Sequence, residues 1–106
     1  MVAYVIVDID VTDARGFEEY RRLAQLAVAA YGGRYLARGG KTECLEGGWN
    51  PKRLVVLEFD SLARARQWYE SPEYLAARAA RRTAATFRML VTEGGSSPIL
   101  TDRQAS

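Results

Sequence analysis

The alternation of side chains in three β-rich segments constrains the fold of this chain more than any other feature. Segments 3–10, 53–59 and 86–93 are rich in β-branched and aromatic residues, which is typical of strands. Successive side chains of a strand point to opposite faces of a sheet, so each segment divides into two sets. One set is apolar throughout and predicts a face beneath helices: Val5, Val7, Ile9, Val55, Leu57, Phe59, Phe87, Met89 and Val91.

Two helical segments separate these strands. In the first, Asp13 is a candidate N-cap, and apolar side chains recur at helical spacing until Gly32-Gly33 ends the helix. The second begins after Asp60 or Ser61 and restarts at the "SPEY" sequence, 71–74, where a serine cap is followed by proline at the first helical position.

The remaining segments complete the element order. Residues 34–38 read as a short strand that Gly39-Gly40 ends with a turn, and 42–46 read as a second extended piece before a loop at 47–51. The order β-α-β-β-α-β predicts an α+β, ferredoxin-like domain over 1–93, with a four-stranded antiparallel sheet and two helices on one face. Residues 94–106 read as a C-terminal tail. Within the sheet, we expect the first and third strands to run parallel to each other and against the second and fourth.

The second set of strand side chains is mixed in character. Tyr4, Ile6, Leu54, Val56 and Leu90 belong to it. At about 25 cal/mol per Å² of apolar surface, leaving this face in water would forfeit several kcal/mol. We therefore expect a homodimer in which two sheets pack face to face and form a dimeric α/β barrel.

Charged residues on this second face form the candidate site. With the strand directions expected above, Asp8, Glu58, Arg88 and Arg34 converge at one end of the covered face. They form either an ion-pair network that sets the register of the dimer or a pocket for a small anionic or carbonyl ligand. Residues near the strand ends and in the connector complete the candidate pocket: Arg38, Glu46 and Trp49.

The absence of histidine removes several classes of chemistry. The chain has no His, which excludes a Ser-His-Asp or Cys-His relay, a histidine-ligated haem and an ordinary zinc site. We expect no metal and no cofactor. The single cysteine, Cys44, excludes an internal disulfide and suits the cytoplasm.

Charge and hydropathy also limit the partners. The net charge is only +2, and no strand has the aromatic pattern of an RNA-binding sheet, so we expect no nucleic acid partner. No apolar run approaches the roughly 18 residues of a membrane helix, so we expect no membrane partner.

Several short motifs resemble one bacterial family. They are Tyr31-Gly32-Gly33, Arg38-Gly39-Gly40, Glu46 with Trp49, "LEF" at 57–59 and "WYESPEY" at 68–74. Over residues 2–93 the chain resembles domain of unknown function 1330, in the dimeric α/β-barrel superfamily. The resemblance implies a ferredoxin-like protomer and a homodimer, and it supplies no catalytic residue. Superfamily relatives include cofactor-free monooxygenases and isomerase-like proteins, which share the fold.

Two functions follow from these observations. The first is a homodimeric small-molecule-binding protein, with cofactor-independent oxygenase or isomerase chemistry as one form of it. The alternative is a non-catalytic structural or regulatory dimer, related to stress, with no small-molecule chemistry. The sequence leaves open whether the chain is an enzyme and identifies no catalytic residue.

Overall fold

The computed structural model describes residues 1–95 and contains four strands and three helices in this part of the chain. They are β1 (Ala3–Val11), α1 (Ala14–Ala30), β2 (Arg34–Arg38), β3 (Arg53–Phe59), α2 (Leu62–Glu70), α3 (Pro72–Arg81) and β4 (Ala85–Glu93). The sheet order is β2-β3-β1-β4, and every neighbouring pair is antiparallel. The predicted ferredoxin-like α+β fold is confirmed. Most of the predicted tail, 96–106, lies outside the described residues.

The predicted strand directions are wrong. β1 and β3 are antiparallel, with a register that runs from Ala3 opposite Phe59 to Ile9 opposite Arg53. The crossover through α1 makes β1 and β2 parallel, and the chain then reverses before β3. β3 inserts between β1 and β2, and it is therefore antiparallel to both.

The second extended piece expected at 42–46 is not a strand. These residues belong to an irregular loop between β2 and β3, and their side chains are exposed. The reason is geometric, because β2 and β1 already occupy both edges of β3 and leave this segment no β3 edge to pair with.

The local signals at the end of α1 and at the start of α3 behave as predicted, and the signal at the start of α1 does so only in part. Gly32, with φ of 73°, closes α1, and the Gly33 N–H donates to the Val28 carbonyl at 2.9 Å. Asp13 occupies the N-cap position, but its side chain makes no capping hydrogen bond. The Ser71 hydroxyl accepts from the Tyr74 N–H at 3.0 Å and donates to the Trp68 carbonyl at 2.7 Å, which separates α2 from α3.

The core lies between the three helices and one face of the sheet. Its largest fully buried side chains are Trp68, Tyr74 and Phe59. The apolar set of β1 and β3 is buried, whereas Val91, near the end of the edge strand β4, is 37% exposed. No helix within residues 1–95 is long and apolar enough to span a membrane.

The opposite face of the sheet, which we call the open face, is covered by no helix within the described chain. Tyr4, Ile6, Leu54 and Val56 are only partly buried there by their neighbours. Leu90 is 58% exposed. The second set of strand side chains therefore forms a face of mixed character, as predicted, and whether a partner covers it stays a prediction.

Gly33 offers a test of how tightly α1 packs on the sheet. A Cβ at this position would lie 2.7 Å from the Phe59 ring and 2.8 Å from Val28, so Gly33→Ala should lower the free energy of unfolding by about 1–3 kcal/mol through overpacking. Gly40→Ala is the control, since nothing lies within 4 Å of its added Cβ. Urea unfolding at fixed protein concentration measures both, and equal losses would contradict the close packing.

Candidate functional site

The charged cluster predicted on the open face divides into two separate ion pairs. Asp8 lies opposite Arg88, whereas Glu58 lies opposite Tyr4 and Arg34. The two positions are four residues apart along β1, which corresponds to about 13 Å along an extended strand. The predicted convergence is wrong, because it required β1 and β3 to be parallel.

Each ion pair is formed by a direct contact. Arg34 donates to the Glu58 carboxylate at 2.6 Å, and Arg88 donates to the Asp8 carboxylate at 3.2 Å. Both carboxylate side chains are about four-fifths buried, at 19% and 18% exposure, while the arginines are exposed. On a bare surface such pairs add little stability, and if a partner covers them the cost of desolvation offsets the stronger attraction.

The other predicted site residues are dispersed. The Trp49 indole N–H reaches Asp8 at a long 3.5 Å, so Trp49, Asp8 and Arg88 line an open depression of about 330 Å³. Arg38 lies on the helix side of the sheet, where it donates to the Gln25 side chain at 2.7 Å. Glu46 is exposed in the connector. Asp8 already has two donors, so this depression presents no unpaired carboxylate.

A different cavity lies on the helix side, between α1 and the sheet, with a volume of about 40 Å³. We call it the arginine cavity, because Arg21, Arg38 and Arg53 line it. The rest of its wall is aromatic or aliphatic: Val7, Ile9, Phe17, Tyr20, Ala24, Val28, Tyr35, Val55, Leu57, Trp68, Tyr74 and Met89. Within residues 1–95, no Asp or Glu lines it.

The three guanidinium groups are placed by three different elements. Arg21 on α1 contacts the exposed Glu18 at 3.1 Å, and Arg38 on β2 stacks over the Tyr35 ring at 4.1 Å. Arg53 begins β3 on the core-facing side, where its guanidinium lies 5.9 Å from the Phe17 ring. Arg21 is therefore paired with a carboxylate, whereas Arg38 and Arg53 contact none among the described residues.

Two buried donors at the cavity have no acceptor. The Arg53 Nε and the Trp68 Nε1 are both buried, and neither has a hydrogen-bond partner in the described part of the chain. An unsatisfied buried donor costs about 1–3 kcal/mol. Because both atoms are closed off from solvent, they add a cost to the core and do not themselves face the open space of the cavity.

Phenolic hydroxyls supply the other polar atoms. The Tyr20 and Tyr74 hydroxyls are 2.8 Å apart and buried. Burial, with Tyr74 close by, raises the pKa of Tyr20 well above its usual value, and burial also raises the pKa of Tyr74. Burial raises the pKa of Tyr35 as well, against the opposing charges of Arg38, Arg21 and Arg53. Tyr20 and Tyr74 are thus neutral hydroxyl groups that can donate to a bound oxygen and cannot act as bases at neutral pH.

Sequence reasoning missed most of this cavity. One signal was available, because Arg53 shares the core-facing parity of Val55, Leu57 and Phe59, where a charge is unusual. Arg21 and Tyr35 gave no such signal. No group of three or more His, Cys, Asp or Glu side chains is positioned to hold a metal among the described residues.

Comparison with known proteins agrees with this fold. Residues 2–95 match the family described as domain of unknown function (DUF1330). The chain belongs to the DUF1330 family. The resemblance drawn from the short motifs is confirmed. The family match covers nearly all of the residues that the structure of this DUF1330 protein describes. No curated protein matches the sequence.

Solved structures with the same fold are similar to this DUF1330 protein at low identity. A protein of unknown function from Rhodopseudomonas palustris has a TM-score of 0.73 at 16% identity, covering 91% of this chain and 84% of that one. A dimeric ferredoxin-like protein of unknown function from Bacteroides fragilis has a TM-score of 0.60 at 15% identity, covering 88% and 96%. SnoaB, a cofactor-independent oxygenase from Streptomyces nogalater, has a TM-score of 0.51 at 16% identity, covering 92% and 95%.

The hydroxyl pair in the cavity generates a prediction about coupling. Tyr20→Phe leaves the buried Tyr74 hydroxyl without its 2.8 Å partner and should lower the free energy of unfolding by about 1–3 kcal/mol. The double variant Tyr20→Phe/Tyr74→Phe should lose less than the sum of the two single losses, because it removes both polar groups. Urea unfolding of the wild type, the two single variants and the double variant measures this double-mutant cycle. Additive losses would show that the two hydroxyls are not coupled.

Proposed function

We propose that this DUF1330 protein is a homodimer, working in the cytoplasm, that binds a small anionic or carbonyl-bearing molecule in the arginine cavity of each subunit. The observation that carries the proposal is the charge of the lining: Arg38 and Arg53 contact no carboxylate, and no Asp or Glu lines the cavity within the described residues. Acceptor oxygens of an anionic or carbonyl ligand would pair with these guanidinium groups.

The open face supports the dimer. Its centre is apolar, with Ile6, Leu54 and Val56 partly buried, and one ion pair flanks that centre at each end. A second copy placed face to face would cover the apolar centre and lower the solvent screening of both ion pairs. Dimeric relatives such as the Bacteroides fragilis protein support the same arrangement.

The proposal extends to enzyme chemistry that needs no cofactor. An oxygenase or isomerase that uses only side chains must stabilise an enolate or similar anion of its substrate. Guanidinium groups with the neutral hydroxyls of Tyr20 and Tyr74 would do this, and they would favour proton loss from a bound acidic ligand. The likeness to a cofactor-independent oxygenase supports this form at the level of the fold.

The second candidate is a non-catalytic structural or regulatory dimer. The ion pairs Arg34–Glu58 and Asp8–Arg88 favour it, since they lie on the open face and would fix the register of two sheets without any ligand. The two candidates share the dimer and differ only in the use of the arginine cavity.

The dimer is tested by charge on the open face. Val56 lies on a central strand of this face, so Val56→Lys should convert a particle of about twice 11.8 kDa into a monomer, because burying an unpaired ammonium is costly. Leu75→Lys is the control, because Leu75 is 48% exposed on α3 on the other side of the sheet. Light scattering measures the mass, and a wild-type monomer at micromolar concentration would contradict the dimer.

Ligand binding is tested by filling the cavity. A panel of small metabolites should include one that stabilises the wild type by about 2.7 kcal/mol when present at 100 times its Kd. This stabilisation is detected as a rise in the melting temperature. Ala24→Met projects into the cavity from α1 and should abolish this shift, whereas Ala29→Met, at an exposed position of the same helix, should retain it.

The same experiment separates the two candidates. If no compound stabilises the wild type, or if Ala24→Met responds as the wild type does, the cavity is not the ligand site. A dimer that persists in that case would favour the non-catalytic function.

A further inference from the structure

An open groove lies on the helix side of the sheet, between α2 and β4. We call it the edge groove, and its apolar wall consists of Val5, Ala65, Trp68, Tyr69, Met89 and Val91. Its volume is about 330 Å³, compared with roughly 150 Å³ for a cavity that holds benzene. The edge groove therefore has room for two aliphatic side chains.

The described residues leave apolar surface of this groove in water. Val91 belongs to the core-facing set of strand side chains and lies opposite Val5, yet Val91 is 37% exposed and Val5 only 2%. β4 is also an edge strand, so the backbone groups on its outer side face no other strand within residues 1–95. Proteins normally cover such an edge with a loop or a further strand. Both observations indicate that another piece of polypeptide covers the edge groove.

The chain that follows β4 is long enough to reach the groove. Residues 96–106 have one apolar cluster, Pro98-Ile99-Leu100. Val91 lies four residues before Gly95, about 13 Å back along the strand, and Ile99 lies four residues after Gly95, within a reach of about 13–14 Å. A chain that reverses at Gly95 therefore brings Ile99 to the level of Val91.

The end of β4 leaves space for this reversal. The Gly94 N–H donates to the Val2 carbonyl at 2.8 Å, so the pairing with β1 continues to this residue. A Cβ at Gly95 would have nothing within 4 Å, so the chain leaves the sheet into open space here.

Two charged residues of α2 line the edge groove as well. Arg66 and Glu70 are one helical turn apart and exposed, and neither forms an ion pair within residues 1–95. Asp102 and Arg103 follow the apolar cluster and supply the opposite charges. Exposed ion pairs contribute little energy, so burial of the apolar cluster would provide most of the affinity and the charges would add selectivity.

We propose that Pro98-Ile99-Leu100 docks in the edge groove of its own chain, with Ile99 and Leu100 against Val91 and Tyr69. The docked segment covers the outer edge of β4 and leaves the open face free for a second copy. This proposal does not rest on the proposed function, because it involves neither the arginine cavity nor a ligand.

The first test measures how close the segment lies to the groove by paramagnetic relaxation in the full-length protein. Cys44 is exposed and is the single cysteine, so Cys44→Ser with Thr101→Cys carries one nitroxide label beside the docked cluster. The amide signals of Ala65 and Tyr69, on α2, should lose most of their intensity. The amide signal of Thr42, in the loop that follows the opposite edge strand, should keep its intensity.

Matched acidic variants of the nitroxide-labelled protein separate docking from mere proximity. Ile99→Asp/Leu100→Asp places two charges in the apolar cluster, so the signals of Ala65 and Tyr69 should recover. Ser96→Asp/Ser97→Asp adds the same charge to the same segment outside the cluster, so the loss of intensity should remain.

A mixture of two proteins identifies the chain that supplies the segment. Isotope-labelled protein without nitroxide is refolded from urea together with nitroxide-labelled protein at natural isotope abundance, and its signals should keep their intensity. Loss of the Ala65 and Tyr69 signals in this mixture would show that a second copy supplies the segment, which would overturn docking within one chain. Full intensity of these signals in the nitroxide-labelled protein itself, or the same behaviour of the two acidic variants, would overturn docking in the edge groove.

Discussion

The antiparallel pairing of β1 with both β3 and β4 is the constraint on which the rest of this structure depends. β1 is central, and its register places Val5, Val7 and Ile9 beneath the helices while Tyr4, Ile6 and Asp8 face the other way. A shift of one residue would exchange these faces, which the apolar set makes very costly. The same register separates the two ion pairs of the open face, so it fixes the electrostatics as well as the core.

On the helix side of this sheet, polar donors enter an otherwise apolar core. Most of the core is dry and apolar, yet at one end Arg53 extends from the core-facing side of β3, and the hydroxyls of Tyr20 and Tyr74 meet inside. Buried donors are normally matched one by one with acceptors. The Arg53 Nε and the Trp68 Nε1 have no acceptor in the described part of the chain, so each costs stability.

The sequence predicted local structure better than long-range geometry. The bounds of β2 and β3, the Gly32-Gly33 helix end and the serine at the start of α3 all followed from side-chain chemistry within a few residues. The cluster of Asp8 with Glu58 did not form, because its prediction depended on the relative direction of two strands that are distant in sequence. Trp49 and Arg88 both contact Asp8, and their role in a pocket stays a prediction.

The sequence by itself determined the element order, the apolar face of the sheet and the absence of histidine chemistry, because each of these depends on residue type and short spacing. Tertiary structure alone decided which charges meet. Arg21, Arg38 and Arg53 come from elements separated along the chain, and only the crossover of α1 over β2 and β3 brings their guanidinium groups to one cavity. Coulombic and hydrogen-bond interactions depend on distances in space, and for these residues spacing along the chain does not encode those distances.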